Sequence, residues 1–252
     1  MKEAFNYMFK DKSFASKAGL YLCLFLLTQS CFAFAQFKGV SLICSIAIFA
    51  TGLLLSFVLS GYLFSMLKSN IENKEEPCLP SLNFFNDLAT GFKWFISVLL
   101  FILSIVIVVG GFLTAALVFY KSGLVFTSLF MFMPVYLIII GGLMILFPAL
   151  VGIFAQTGEI ISLFRIKKAF DILCSNAKNY FVGYVIYILA AAVVYILNGL
   201  FFDFAASFAK LMHNTIYLKF GYVCLNSIIS TYFIFVFAYL FAKMVSVKEI
   251  DE

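Results

Sequence analysis

Six stretches of the chain carry no charged residue: 18–37, 39–67, 94–120, 122–158, 179–202 and 220–242. They are 20, 29, 27, 37, 24 and 23 residues long and hold 160 of the 252 positions. A helix needs about 20 apolar residues to cross the hydrocarbon of a bilayer, so each stretch is long enough to span it. Inside lipid the backbone must satisfy its own hydrogen bonds, which leaves helices or a closed barrel. Barrel strands alternate apolar and polar residues. Runs such as Leu99-Leu100-Phe101-Ile102-Leu103 do not. Composition agrees: 64% of residues are hydrophobic and 12% charged, with a mean hydropathy of +1.10, whereas soluble domains are about a quarter charged. The expected fold is all-α, a polytopic membrane bundle forming a single integral domain over 1–252. Its six transmembrane helices are expected at 18–37, 42–67, 94–118, 131–155, 180–201 and 220–242.

The stretch 122–158 nearly has room for two crossings, with Pro134, Gly141-Gly142 and Pro148 as possible breaks. A second crossing would carry Arg165, Lys167 and Lys168 to the far side, against the preference of basic residues for the cytoplasm. One tilted helix preceded by an interfacial segment is therefore expected, with a re-entrant piece as the alternative. Counted over alternate sides of six spans, 13 of the 17 basic residues fall on one side and 4 on the other. The rich side should be cytoplasmic, and with it both termini. Ala33-Phe34-Ala35 before Gln36 resembles a signal-peptide cleavage site. The 17-residue leading region, with Glu3 and Asp11, favours a retained first span.

Three segments that fall on the basic side look alike: Phe9 to Lys17, Phe85 to Lys93 and Phe170 to Lys178. In each, an aromatic precedes a lysine by eight residues, Asp11, Asn86 or Asp171 follows the aromatic closely, and an apolar stretch follows the lysine. Each reads as an amphipathic helix at the membrane interface. Phe84, Phe85, Leu88 and Phe92 share a face in the second, with Ser81 as a plausible N-cap. Leu163, Ile166, Phe170 and Leu173 share one in the third. The hypothesis is a parallel threefold repeat of interfacial helix plus helical hairpin. The alternative is that segments preceding spans are commonly aromatic and basic.

The residues Tyr7, Asp11, Lys17, Gly61-Tyr62, Leu79-Pro80, Phe85, Asp87, Gly91, Lys93, Phe170, Ile172, Leu173 and Tyr180 carry a family resemblance. The chain resembles an uncharacterised family of prokaryotic multi-pass membrane proteins classed as a domain of unknown function. It is also distantly similar to the membrane domains of some glycerophosphodiester phosphodiesterases. The first resemblance implies a prokaryotic cytoplasmic membrane. Neither supplies catalytic residues, and the phosphodiesterase catalytic domain has no counterpart in this sequence.

Chemistry-bearing motifs are few. No HExxH, GxSxG or Gly-rich phosphate loop occurs. The one histidine, His213, reads as a solvated loop residue. The six cysteines form no CxxC pair and read as small buried hydrophobes. Gly110-Gly111 and Gly141-Gly142 read as helix-packing positions. No ionisable residue falls near the centre of an expected span, which argues against proton-coupled or ion-coupled work. Glu159 and Asp203 sit at span ends.

Uncharged polar residues do lie within spans: Thr28, Gln29 and Ser30, Asn198, and Asn226, Ser227, Ser230 and Thr231. They read as interhelical hydrogen-bonding groups, or else Gln29, Asn198, Asn226 and Ser230 line a polar cavity between spans one, five and six. Lys17, Lys93, Arg165, Lys167, Lys168 and Lys178 are the candidate lipid-interface contacts. The leading expectation is a non-enzymatic, membrane-organising or accessory protein without cofactor or metal. Its partners would be anionic lipid head groups and other membrane proteins, not nucleic acid. The alternative is a small uncoupled transporter or lipid-handling protein with a site between helices.

Overall fold

A computed structural model of the chain describes residues 13–35, 41–72, 79–137, 145–212 and 215–245. These residues form helices α1 (Phe14–Ala35), α2 (Leu42–Glu72), α3 (Phe84–Lys121), α4 (Val125–Leu137) and α5 (Phe147–Thr157). A 3₁₀ turn, Ile160–Phe164, follows, then α6 (Ile166–Ser175), α7 (Ala177–Met212) and α8 (Thr215–Val245). There is no strand among the described residues. Among the described residues, four helical segments are long and apolar enough to cross a membrane: Phe14–Phe32, Leu42–Glu72, Phe84–Lys121 and Asn226–Val245. The protein is thus an all-α membrane protein. The expected span 180–201 lies inside α7.

The expected helix over 131–155 is interrupted. Helix α4 is described to Leu137, and α5 starts at Phe147 after Leu146. Pro148 stands in the first turn of α5, where its missing N–H leaves nothing unsatisfied and its ring blocks helix before it. Pro134, by contrast, is accommodated inside α4. Gly141-Gly142 lies outside the described residues.

The chain divides into two units, one of residues 1–92 and 178–246, the other of 93–177 and 247–252. In the first, α1 and α2 pair antiparallel. Tyr21 meets Tyr62 with ring centroids 5.6 Å apart. Ten residues on, a Cβ built on Gly52 would lie 3.0 Å from Cys31 and 3.2 Å from the Phe32 ring. Helix α8 packs against both, with Phe235 5.1 Å from Tyr21. The buried core holds Tyr21, Leu59, Tyr62, Met66, Leu79 and Phe235. It occupies the C-terminal half of α2, whereas Leu42, Ile43 and Ile46 in the first half are exposed. Exposed aliphatic side chains of this kind are at home only against hydrocarbon. Helix α7 adds Tyr187, whose ring lies 5.0 Å from Phe237 and 5.1 Å from Phe241.

In the second unit, Trp94 near the start of the apolar run of α3 packs on Phe154 of α5 at 5.1 Å. Phe101 meets Phe164 at 5.9 Å. Helix α5 buries Ala149, Leu150, Ile153 and Phe154. It ends on Gly158, at φ +64°, whose N–H donates to the Phe154 carbonyl at 2.7 Å. A left-handed residue closes a helix with little strain when it has no Cβ.

Candidate functional site

The densest set of described polar contacts in the first unit surrounds the strap Leu79–Asn83, which leads into α3. Leu79 is buried, and its carbonyl accepts the Lys17 ammonium of α1. The next carbonyl, Pro80, accepts the Tyr62 hydroxyl of α2 at 3.1 Å. A proline and a buried leucine in extended chain leave main-chain acceptors uncommitted, and side chains from two helices supply the donors.

Asp87 completes this junction. It stands in the first turn of α3 and is 1% exposed. Its Oδ1 accepts the Ser65 hydroxyl of α2 at 2.8 Å, and its Oδ2 accepts the Asn83 N–H at 2.9 Å. Asn83 caps the helix in return: its Oδ1 accepts the Asn86 N–H at 3.3 Å. The cap is therefore Asn83, not Ser81 as the spacing suggested. Ser81 stands two residues too early for its hydroxyl to face the first free amides of a helix starting at Phe84. A carboxylate at a helix N-terminus also meets the positive end of the helix dipole.

Two glycines let α2 and α3 approach. A Cβ built on Gly61 would overlap the Asp87 carbonyl, and one built on Gly91 would overlap the Phe57 carbonyl. Residue 57 pairs with 91 and 61 with 87, so the contact repeats once per turn in an antiparallel register. Small residues at this spacing bring helix backbones together in membranes. Gly110-Gly111 does not do this: nothing lies within 4 Å of a Cβ built on either. The close approach is at Gly61 and Gly91, where the strap brings a second helix alongside.

The four residues expected to line a polar cavity stand on three helices, Gln29 on α1, Asn198 on α7, and Asn226 and Ser230 on α8. Gln29 is exposed, so it lies off the buried interface of α1. Asn226 and Ser230 pair within α8, the Ser230 hydroxyl lying 3.4 Å from Asn226 Oδ1. Asn198 lies in α7, and its side chain is outside the described residues. Among the described residues of α1, α2 and α8, the buried polar groups are Thr28, Asn70, Ser227 and Thr231. Asn70 and Asp87 escaped the functional reading because each stands next to a charged, apparently solvated segment.

The candidate interface lysines separate into two groups. Lys17 is half-buried and bonded to the strap. Lys93, Arg165, Lys167, Lys168 and Lys178 are exposed, and Arg165 is ion-paired with Glu159. The segment Phe85 to Lys93 is not a separate helix; it forms the first turns of α3. Phe84 and Phe85 are exposed, Phe92 is half-exposed with its ring edge-to-face on Phe57 of α2 at 5.8 Å, and Asp87 and Gly91 face α2. The segment Phe170 to Lys178 is divided at Asn176 between α6 and α7. Residues 9–12 of the first segment lie outside the described residues, as do Cys78 and His213.

The five described cysteines are not buried. Cys23, Cys44 and Cys174 are exposed, and Cys31 and Cys224 are intermediate. In a membrane an apolar thiol gains little by turning inward, because the outside of the bundle is apolar too. Among the described residues, no group of three or more His, Cys, Asp or Glu side chains is placed to hold a metal.

One family, described as "Protein of unknown function (DUF4013)", matches residues 43–202. No curated protein and no solved structure matches the chain. The distant likeness to phosphodiesterase membrane domains thus has no support.

Proposed function

We propose that this chain, which belongs to the DUF4013 family of proteins of unknown function, is a non-enzymatic protein that organises one face of the membrane. The observation that carries this reading is helix α6. It buries Ala169 and Ile172 and leaves Ile166 and Phe170, one turn apart, exposed at 52% and 56%. Lys167 borders this uncovered ridge, while Lys168, two positions from both Ile166 and Phe170, projects from the other side of the helix. An apolar ridge bordered by a lysine, next to segments that enter the membrane, matches the chemistry of an anionic lipid surface.

On this reading the protein has six spans and lies in a prokaryotic cytoplasmic membrane with both termini in the cytoplasm. Its cytoplasmic segments contact lipid head groups and neighbouring membrane proteins. The distribution of 13 basic residues against 4 supports the orientation. A nitroxide at position 170 in an otherwise cysteine-free protein tests the central point. In nanodiscs containing phosphatidylglycerol it should be more accessible to oxygen than to a water-soluble nickel chelate. Accessibility like that of a nitroxide in water would sink the proposal.

A further inference from the structure

Serine and threonine hydroxyls in the long helices have a standard arrangement in this protein. Thr28 donates to Leu24, Thr51 to Ala47, Ser60 to Ser56, Ser97 to Lys93, Ser104 to Leu100 and Thr114 to Gly110, each at 2.7–2.9 Å to a carbonyl one turn back. This local bond is the default for a hydroxyl without water nearby.

Ser227 and Thr231 of α8 break the pattern. They are 1% and 5% exposed, and neither Oγ has a hydrogen-bond partner, not even its own helix backbone. They lie two turns and one turn before Phe235, on the stripe by which α8 meets Tyr21 of α1. An unsatisfied hydroxyl in an apolar interior is costly, and here two share one stripe of a membrane helix.

We infer that Ser227 and Thr231 form a binding site for an ordered water molecule inside the first unit. Residues four apart on a helix are separated by about 6 Å along its axis, a gap that one water can bridge between two hydroxyls. Several properties select water. The two ligands are neutral, so a bound ion would lack a counter-charge. The hydroxyls are almost fully enclosed, which favours a small occupant. A hydroxyl both donates and accepts, as a water partner must. The water would satisfy groups that the backbone does not.

Radiolytic footprinting of the full-length protein in nanodiscs, after brief equilibration with ¹⁸O-water, reads such a site directly. Bound water generates hydroxyl radicals in place, so the buried Phe235 and its half-buried neighbour Tyr232 should acquire oxygen. Exchange of the ¹⁸O label there should lag behind that at exposed residues. The double variant Ser227→Ala/Thr231→Val should lose this labelling without gaining thermal stability. If the double variant fails to fold, Ser227→Ala and Thr231→Val are each read alone. Wild-type protein unlabelled at Phe235, or labelling that persists in the variants, overturns the inference. A stabilised variant overturns it too, because removing hydroxyls from a dry site relieves a penalty.

Discussion

At the scale of single residues, Asp87 is the position with most at stake. Its carboxylate accepts from Ser65 and from the Asn83 N–H while almost fully enclosed. Charge-assisted bonds in such places are among the stronger ones, and removing one partner leaves the others unsatisfied. Asp87→Ala should destabilise the detergent-solubilised protein by about 3 kcal/mol. Asp87→Asn keeps an oxygen acceptor and should lose roughly half as much. Thermal unfolding followed by circular dichroism ranks the two; equal losses would argue that the charge itself, not acceptor geometry, sets the effect. Ser65→Ala removes the α2 donor alone and should fall nearest wild type.

At the scale of elements, the glycines make opposite predictions in one chain. Gly61→Ala or Gly91→Ala drives a methyl group into a backbone carbonyl. Helices α2 and α3 must then separate, at about 3 kcal/mol or more, because neither contacting atom is a flexible side chain. Gly110→Ala or Gly111→Ala meets open space and should be neutral or stabilising by up to about 1 kcal/mol, the usual helix gain of alanine over glycine. Melting temperatures of the four variants test this, and a loss at position 110 or 111 as large as at 61 would contradict the packing described. Gly61, Gly110 and Gly111 were visible as small residues in charge-free runs, and Gly91 as one just ahead of such a run. Which of them packs was not, since close approach depends on where the strap Leu79–Asn83 directs α3.

At the scale of the whole molecule, orientation and lipid contact can be checked together through α6. Cys174 is exposed and lies beyond Phe170 on the side assigned to the cytoplasm. In a variant retaining only Cys174, an impermeant maleimide should label inside-out vesicles and leave intact cells unlabelled; labelling of intact cells would reverse the orientation. Lys167→Glu/Lys168→Glu should leave folding intact, since both side chains are exposed. It should reduce the anionic lipid that co-purifies by several-fold, as each lysine near a charged leaflet contributes about 1 kcal/mol. Lipid extraction and mass spectrometry of the purified variant measures this, and an unchanged lipid profile would remove the lysines from the interface.

The length of the charge-free runs by itself determined that this is a helical membrane protein and located most of its long helices. Hydrocarbon excludes charge and unsatisfied backbone wherever a segment lies in it, so that information is local and additive along the chain. Amphipathic spacing likewise made the exposed aromatic pair Phe84 and Phe85 legible, because it follows from helix periodicity. Only the tertiary structure decided that Asp87 is buried, that Lys17 holds a carbonyl 62 positions away, and that Gly61 and Gly91 are the points of close approach. It also decided that Ser227 and Thr231 lack partners. In each case the physical quantity is a pairing between atoms far apart in sequence. In a chain whose inside and outside are both apolar, hydrophobicity carries no mark of which side chains face one another.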